Sequence, residues 1–252
     1  MRAPWLGAVN DHDFRSDAIG IAIPYGVYDL QANRGTVFVG TTYDTPYFAV
    51  DAVEKWWRTE GQHRYRNAGH LTILADGGGS NSSSSRVWKY GLQTRVCDRH
   101  GLNVTVAHYP SGASKWNPIE HRLFSEISKN WAARPLDSYE TILKYLRTTT
   151  TTTGLRVRAH LVRKAYKKGV KITREQMDEL DLTNDEAMPK WNYTLQPAEK
   201  SGVILSPPLR RCVPDSSKTD PQLGSDNHMI QQRSEIPGSE ELAPVVLFRS
   251  IR

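Results

Sequence analysis

The chain has 252 residues, 38% hydrophobic and 24% charged, with 33 Lys and Arg against 27 Asp and Glu for a net charge of +6. This is enough apolar material for a sizeable core, and it excludes collagen, a coiled coil and a wholly disordered chain. No apolar run reaches the roughly 18 residues of a membrane span, the N-terminus lacks a secretory core, and Cys97 and Cys212 are too few for a disulfide scaffold. A reducing, cytoplasmic setting is the expectation.

In chain order, residues 1–20 show little periodicity and form an irregular first segment. Ile21, Ile23, Tyr25 and Val27 alternate, residues 36–39 are rich in strand formers, and Asn33-Arg34-Gly35 is turn chemistry, so a β-hairpin is predicted over 21–40. Residues 45–59 switch to helical spacing, with Thr45 as cap, Pro46 in the first turn and Phe48, Val50, Val53, Trp56 and Trp57 as the apolar stripe. Residues 71–75 are an apolar run of strand length that stops at Asp76 and a Gly-Ser stretch. A helix is predicted over 84–100, ended by Gly101, then a short strand over 104–107. Two further helices follow, over 118–131 and 138–146. Six threonines (148–153) precede the basic strand former Leu155-Arg156-Val157-Arg158, and Thr173 with Gln176 forms a capping box. This order argues for an α/β fold with a partly parallel sheet over 21–196, after an antiparallel hairpin. Residues 197–252, rich in Pro, Ser and Asp without lasting periodicity, read as a largely disordered tail.

The charge is unevenly spread. Residues 101–175 hold fourteen Lys and Arg against five Asp and Glu, whereas 201–252 hold six of each. A concentration of this kind attracts phosphate, although an ordinary solvated surface has the same composition.

Two carboxylates stand where a metal site would be built. Asp76 ends an apolar strand and precedes Gly77-Gly78-Gly79, and ligands collect at the carboxyl ends of strands in open α/β sheets. It suits Mg²⁺, a hard cation that takes oxygen ligands, or equally the start of a turn. Glu120 follows Asn117, a good N-cap, and Pro118, which also places it at the third position of a capping box. Leu123, Phe124 and Ile127 set the buried face of this helix, so Glu120 lies on the inward side, flanked by Lys115, His121 and Arg122. His121 fits either phosphate orientation or a plain surface position.

The string Ser-Lys-Trp-Asn-Pro-Ile-Glu-His-Arg-Leu-Phe (114–124) resembles the third-carboxylate motif of DDE transposases, a branch shared with Tc/mariner-like enzymes. Ala22-Ile-Pro-Tyr-Gly-Val-Tyr-Asp29, Val39-Gly-Thr-Thr-Tyr-Asp-Thr45, Ala75-Asp-Gly-Gly-Gly-Ser-Asn81 and Trp191-Asn-Tyr-Thr194 extend the likeness to the ISAzo-type, or Rhodopirellula-type, insertion-sequence transposases over residues 9–196. The resemblance implies a ribonuclease H-like core and DNA strand cleavage and joining dependent on Mg²⁺ or Mn²⁺, with transposon ends and target DNA as partners. A homo-oligomer or a full-length transposase would be a further partner, and the setting would be nucleoid-associated. By matching motifs, Asp76 would be the second acidic residue and Glu120 the third, both metal ligands. Lys115, Trp116, Asn117, His121, Arg122, Arg156 and Arg158 would contact DNA.

One departure from the family pattern carries weight. The first catalytic aspartate belongs on a strand upstream of Asn10-Asp11-His12-Asp13, and no aspartate here follows an apolar strand ahead of the hairpin. Asp11, Asp13 and Asp17 lie in a polar stretch, Asp29 and Asp44 hold hairpin positions, and Asp44 is the best-placed substitute. The expectation is a transposase truncated at its N-terminus, without the helix-turn-helix-like DNA-binding region. It would also lack the central strand between the hairpin and the strand ending at Asp76, leaving weak metal binding and no activity alone. The competing readings are a non-catalytic DNA-binding or interaction remnant that uses the basic 101–175 segment, and a nuclease of the same fold.

Overall fold

The computed structural model describes residues 20–110, 113, 116–198 and 244–250. The hairpin forms as its sequence dictates. Strands β1 (Ile23–Asp29) and β2 (Arg34–Gly40) pair antiparallel from Ile23↔Gly40 to Asp29↔Arg34. Asn33 takes a positive φ of 50° in the turn, and its side chain accepts the Tyr28 hydroxyl at 2.7 Å. Asp29 is fully buried and held by Arg64, the Tyr65 hydroxyl and the Ala32 amide, which makes it a structural carboxylate.

Helix α1 (Pro46–Trp56) starts where Thr45 accepts the Phe48 amide at 3.3 Å, and it continues through a π-helical turn (Trp57–Gly61) into α2 (Gln62–Arg64). After β3 (His70–Asp76), a 3₁₀ turn (Gly79–Asn81) leads to α3 (Arg86–Leu92), a second π-helical turn (Gln93–Cys97) and α4 (Asp98–His100). Gly101 closes this helix in the left-handed conformation, φ 66°. Next come β4 (Asn103–Tyr109), a third π-helical turn (Glu120–Phe124) running into α5 (Ser125–Trp131), and α6 (Tyr139–Thr148). The chain then forms β5 (Arg156–Val162), the short α7 (Arg174–Asp178) and the strands β6 (Leu182–Asn184) and β7 (Tyr193–Leu195). The capping box at α7 is present in both directions, Thr173 to Gln176 and back.

The strands make one eight-stranded mixed sheet in the order β5-β2-β1-β8-β3-β4-β7-β6. Two apolar layers cover it. Phe48, Val53, Trp56, Trp88 and Leu92 from α1 and α3 bury one face, while Leu123, Phe124, Ile127, Leu143 and Leu146 from the Glu120–Phe124 turn, α5 and α6 bury the other.

The centre of this sheet departs from the sequence expectation. The slot between the hairpin and β3 was expected to be vacant, and residues 245–250 to belong to a disordered tail. Instead β8 (Val245–Ser250) fills that slot, antiparallel to β1 (Val27↔Phe248) and parallel to β3 (Ile73↔Val246). Unpaired strand edges in a sheet interior are costly, because each buried N–H and C=O left alone loses its bond to water. Val246 and Leu247 are fully buried, Val246 in the α1 layer and Leu247 in the α5–α6 layer. The 45 residues between Ala198 and Pro244, like Lys115, Asp11, Asp13, Asp17 and Cys212, lie outside the described residues.

Candidate active site

The pairings run β2, β5, β8, β3 and β4 in one direction. The carboxyl ends of these strands therefore share one end of the sheet, and Asp76 is the last residue of β3 there. Leu71, Ile73 and Ala75 alternate into the core and fix its register, with Asp76 opposite Tyr109 of β4. The glycines after Asp76 divide the work. A Cβ on Gly77 would meet the Tyr109 carbonyl and the Trp191 ring, each at 2.9 Å, while Gly78 faces open space and Gly79 takes φ 78° to begin the 3₁₀ turn. Close packing explains the first glycine and backbone conformation the third.

Asn117 joins the two carboxylate-bearing segments. It is fully buried, and its side-chain amide donates to Asp76 Oδ1 at 3.1 Å. Its side-chain oxygen accepts the Ile119 amide at 3.3 Å, and its main-chain carbonyl accepts the Glu120 amide at 3.0 Å. The sequence expectation of Asn117 as a helix start holds, but its amide also reaches across 41 positions to Asp76. Glu120 opens the π-helical turn and is half-buried. The turn sits close on the sheet because glycines lie beneath it: a Cβ on Gly26 would run into the Phe124 ring, and one on Gly35 into Leu123. Two strand glycines thereby set how near Glu120 approaches the sheet.

The surroundings report the negative charge at this end. Burial, with the charges of Asp44 and Asp76, raises the Tyr25 hydroxyl well above its ordinary pKa, and burial and Asp76 raise Tyr109 likewise. Asp44 thus lies within electrostatic reach of the same buried phenol as Asp76, and its Oδ1 is buried without a hydrogen-bond partner. His108 of β4 is buried behind the site, Nδ1 2.6 Å from the Trp191 carbonyl and Nε2 2.9 Å from the Asn81 carbonyl. Burial lowers its pKa, and the two carbonyls oppose that shift. Sequence reasoning passed over Tyr25 and His108, which sit at apolar-patterned strand positions and look like core.

The expected DNA-contacting residues fall in two places. Trp116 is 70% exposed beside Asn117, and His121 and Arg122 are exposed on the turn that Glu120 opens. Arg156 and Arg158 lie on β5, the far edge of the sheet and four strands from β3, where Arg158 pairs with Glu60 at 3.5 Å. Among the described residues, no three of His, Cys, Asp and Glu come together as a metal-holding group. Asp76 and Glu120 offer the hard oxygen donors that suit Mg²⁺, but two carboxylates do not complete a site for two ions. No helix among the described residues is long and apolar enough to cross a membrane.

At this end of the mixed sheet a strand-end aspartate is thus tied through a buried asparagine to the helical turn that Glu120 opens. The chain belongs to the family described as the Rhodopirellula transposase DDE domain, whose model matches residues 5–197. No curated protein and no solved structure matches it significantly.

Proposed function

We propose that this chain is an insertion-sequence transposase core of ribonuclease H-like architecture, with Asp76 and Glu120 as its second and third carboxylates, and that it is catalytically incomplete as it stands. The sheet order supports the architecture: a central strand antiparallel to a hairpin on one side and parallel to β3 on the other. The observation that carries incompleteness is the identity of that central strand. Val-Val-Leu-Phe-Arg-Ser (245–250) contains no acidic residue, so the strand beside β3 brings no third carboxylate to Asp76 and Glu120. Among the described residues Asp44, Asp76 and Glu120 do not gather into one three-carboxylate group, which supports the same reading.

When bound, a divalent cation in this family supplies Lewis-acid activation of water or a 3′-hydroxyl and stabilises the leaving oxygen. Here Asp76 and Glu120 would hold it, with Asn117 fixing the Asp76 carboxylate and the first turn beneath Glu120. A two-carboxylate set binds such an ion weakly and does not position a pair. DNA is the substrate class that the family implies.

The test is strand transfer in vitro with cognate terminal repeats and Mg²⁺ or Mn²⁺, beside calorimetry of Mn²⁺ binding. Weak Mn²⁺ uptake that falls further in Asp76→Asn and Glu120→Gln, without strand transfer, is expected. Robust transfer by this chain would overturn the incompleteness, and Mn²⁺ uptake indifferent to both substitutions would overturn the site.

A further inference from the structure

On the sheet face covered by α1, a cleft of about 530 Å³ opens between that helix and the segment that follows β5. Six cations line it: Lys55 of α1, Arg58 and Arg95 of two π-helical turns, Arg99 of α4, and Arg163 and Lys164 after β5. Asp51 and Glu54 are its carboxylates, which leaves an excess of four positive charges in one cleft. The turn that Glu120 opens belongs to the opposite layer, with Leu123 and Phe124. A ligand held in this cleft is therefore not a substrate at the carboxylate pair.

The two carboxylates hold the cations in place without neutralising them. Asp51 joins the walls, bonding Arg95, Lys164 at 2.6 Å and the Tyr166 hydroxyl at 2.9 Å. Glu54 Oε1 lies 3.2 Å from Arg58 Nε and 3.5 Å from Arg99 Nη1, so two like charges converge on one oxygen. Arg95 sits 4.5 Å over the Tyr47 ring, and Lys55 Nζ lies 5.7 Å from the Phe38 ring, so aromatic faces also place these heads. Arg58, Arg99 and Lys164 stay about half exposed. Gathering like charges costs free energy in the folded chain, and a bound anion offsets that cost.

Charge and shape narrow the ligand. One phosphate group carries about −1.5 to −2 near pH 7, so an excess of four fits a short chain of phosphates better than a single one. Four of the six cations are arginines, whose planar forks suit phosphate oxygens. The volume lies within the ~300–1,000 Å³ of small-molecule sites. The aromatic residues that line the cleft present no ring to a base. Phe38 and Phe48 are buried, Phe38 stacks on His160 with centroids 5.5 Å apart, and the Tyr166 hydroxyl is taken by Asp51.

We propose that this cleft is a binding site for a linear oligophosphate of the triphosphate type, recognised by its phosphates whether free or as the tail of a nucleotide. The site rests on the charge and packing of the cleft and is independent of the transposase reading. A phosphate chain held between the walls ties the residues after β5 to α1 and α4, and so stabilises the fold by mass action.

The experiment is isothermal titration calorimetry of the full chain in EDTA at fixed ionic strength, with inorganic triphosphate, ATP and orthophosphate as separate titrants. Triphosphate and ATP bind with like affinity, and orthophosphate binds at least about tenfold more weakly. Arg58→Gln/Arg99→Gln lowers triphosphate affinity at least about tenfold. Lys129→Gln/Lys144→Gln, on α5 and α6 of the other layer, leaves it unchanged. Should the first pair fail to fold by circular dichroism, Lys55→Gln/Arg163→Gln gives the same readout. Absent triphosphate binding, unchanged affinity in the cleft variants or an equal loss in the α5–α6 variant overturns the proposal. Orthophosphate binding as tight as triphosphate, or a clear preference for ATP over triphosphate, does the same. Displacement of triphosphate by a short duplex at equal phosphate concentration also overturns it, because the cleft would then be part of a nucleic-acid surface. EDTA keeps divalent ions from Asp76 and Glu120, so failure here leaves the carboxylate site untouched.

Discussion

Replacing Leu247 by alanine tests whether the centre of the sheet is built as described. Leu247 is fully buried in the layer that also contains Tyr28, Val39 and Phe124, and its neighbours on either side are β1 and β3. A buried Leu→Ala change in a well-packed layer costs about 2–5 kcal/mol, made up of lost transfer energy and the cavity left behind. A central strand relaxes little around such a hole, because Tyr28 pairs with it on one side and Leu74 on the other, so a value near 3 kcal/mol is expected. Against a total stability on the order of 5–15 kcal/mol, this is a large share. With a urea m-value of about 2 kcal/mol/M, the unfolding midpoint should fall by about 1.5 M. Leu136→Ala, at a position 39% exposed, serves as the control and should change stability by under about 0.5 kcal/mol. A Leu247→Ala midpoint equal to that control would mean that Val245–Ser250 does not hold the central slot, and the proposed catalytic incompleteness would lose its basis.

Gly26→Ala should drive the Phe124 ring off β1 and cost about 1–3 kcal/mol by overpacking, while weakening Mn²⁺ uptake because Glu120 heads the displaced turn; calorimetry showing unchanged uptake would refute this. Asn117→Ala should leave a residual fold but loosen Asp76, reading out as weaker Mn²⁺ binding than Asn117→Asp, whose carboxylate adds a donor to the same place. Burial holds His100, His108 and His160 below their ordinary pKa, so the folded state favours their neutral forms and the unfolded chain binds more protons. Stability should therefore be full above the unfolded value of about 6.5, fall as pH drops through it, and level off below the lowered folded values. His160→Gln should flatten that slope in urea titrations at several pH values. Cys97 is fully buried with its thiol pushed far up, so peptide mapping after iodoacetamide should find it unlabelled until the chain is denatured.

Where sequence and structure agree, a local signal decides the local geometry. The hairpin follows from alternation and from Asn33, which tolerates the positive φ of the turn. The helix starts at Thr45, Ser138 and Thr173 follow from side chains that accept the amide three positions on. What was illegible is non-local. Val245-Val246-Leu247 shows no alternation because both of its faces are covered, so among prolines it carries no strand period. The ribbon β6–β7 is three residues per strand, too short for any pattern to register. Three π-helical turns have no composition of their own. At the candidate site, the motif 114–124 singles out Glu120, but nothing local says that the Asn117 amide crosses to Asp76, or that Gly26 and Gly35 clear the floor beneath the turn.

The separation of charge in this fold has a physical reason. A pair of carboxylates repels a phosphodiester until a cation neutralises them, so the free energy that holds DNA has to come from elsewhere on the surface. In this chain cations gather along the edge strand β5, whose arginines also keep that edge from pairing with another sheet. β5 and β3 point the same way, so Arg163 and Lys164, which follow β5, lie at the end of the sheet where Asp76 lies. Four strand spacings of ~4.8 Å put β5 about 19 Å from β3, well within the ~34 Å of one duplex turn. Cations and candidate metal-binding carboxylates are thus carried by different strands of one sheet, with three strands between them.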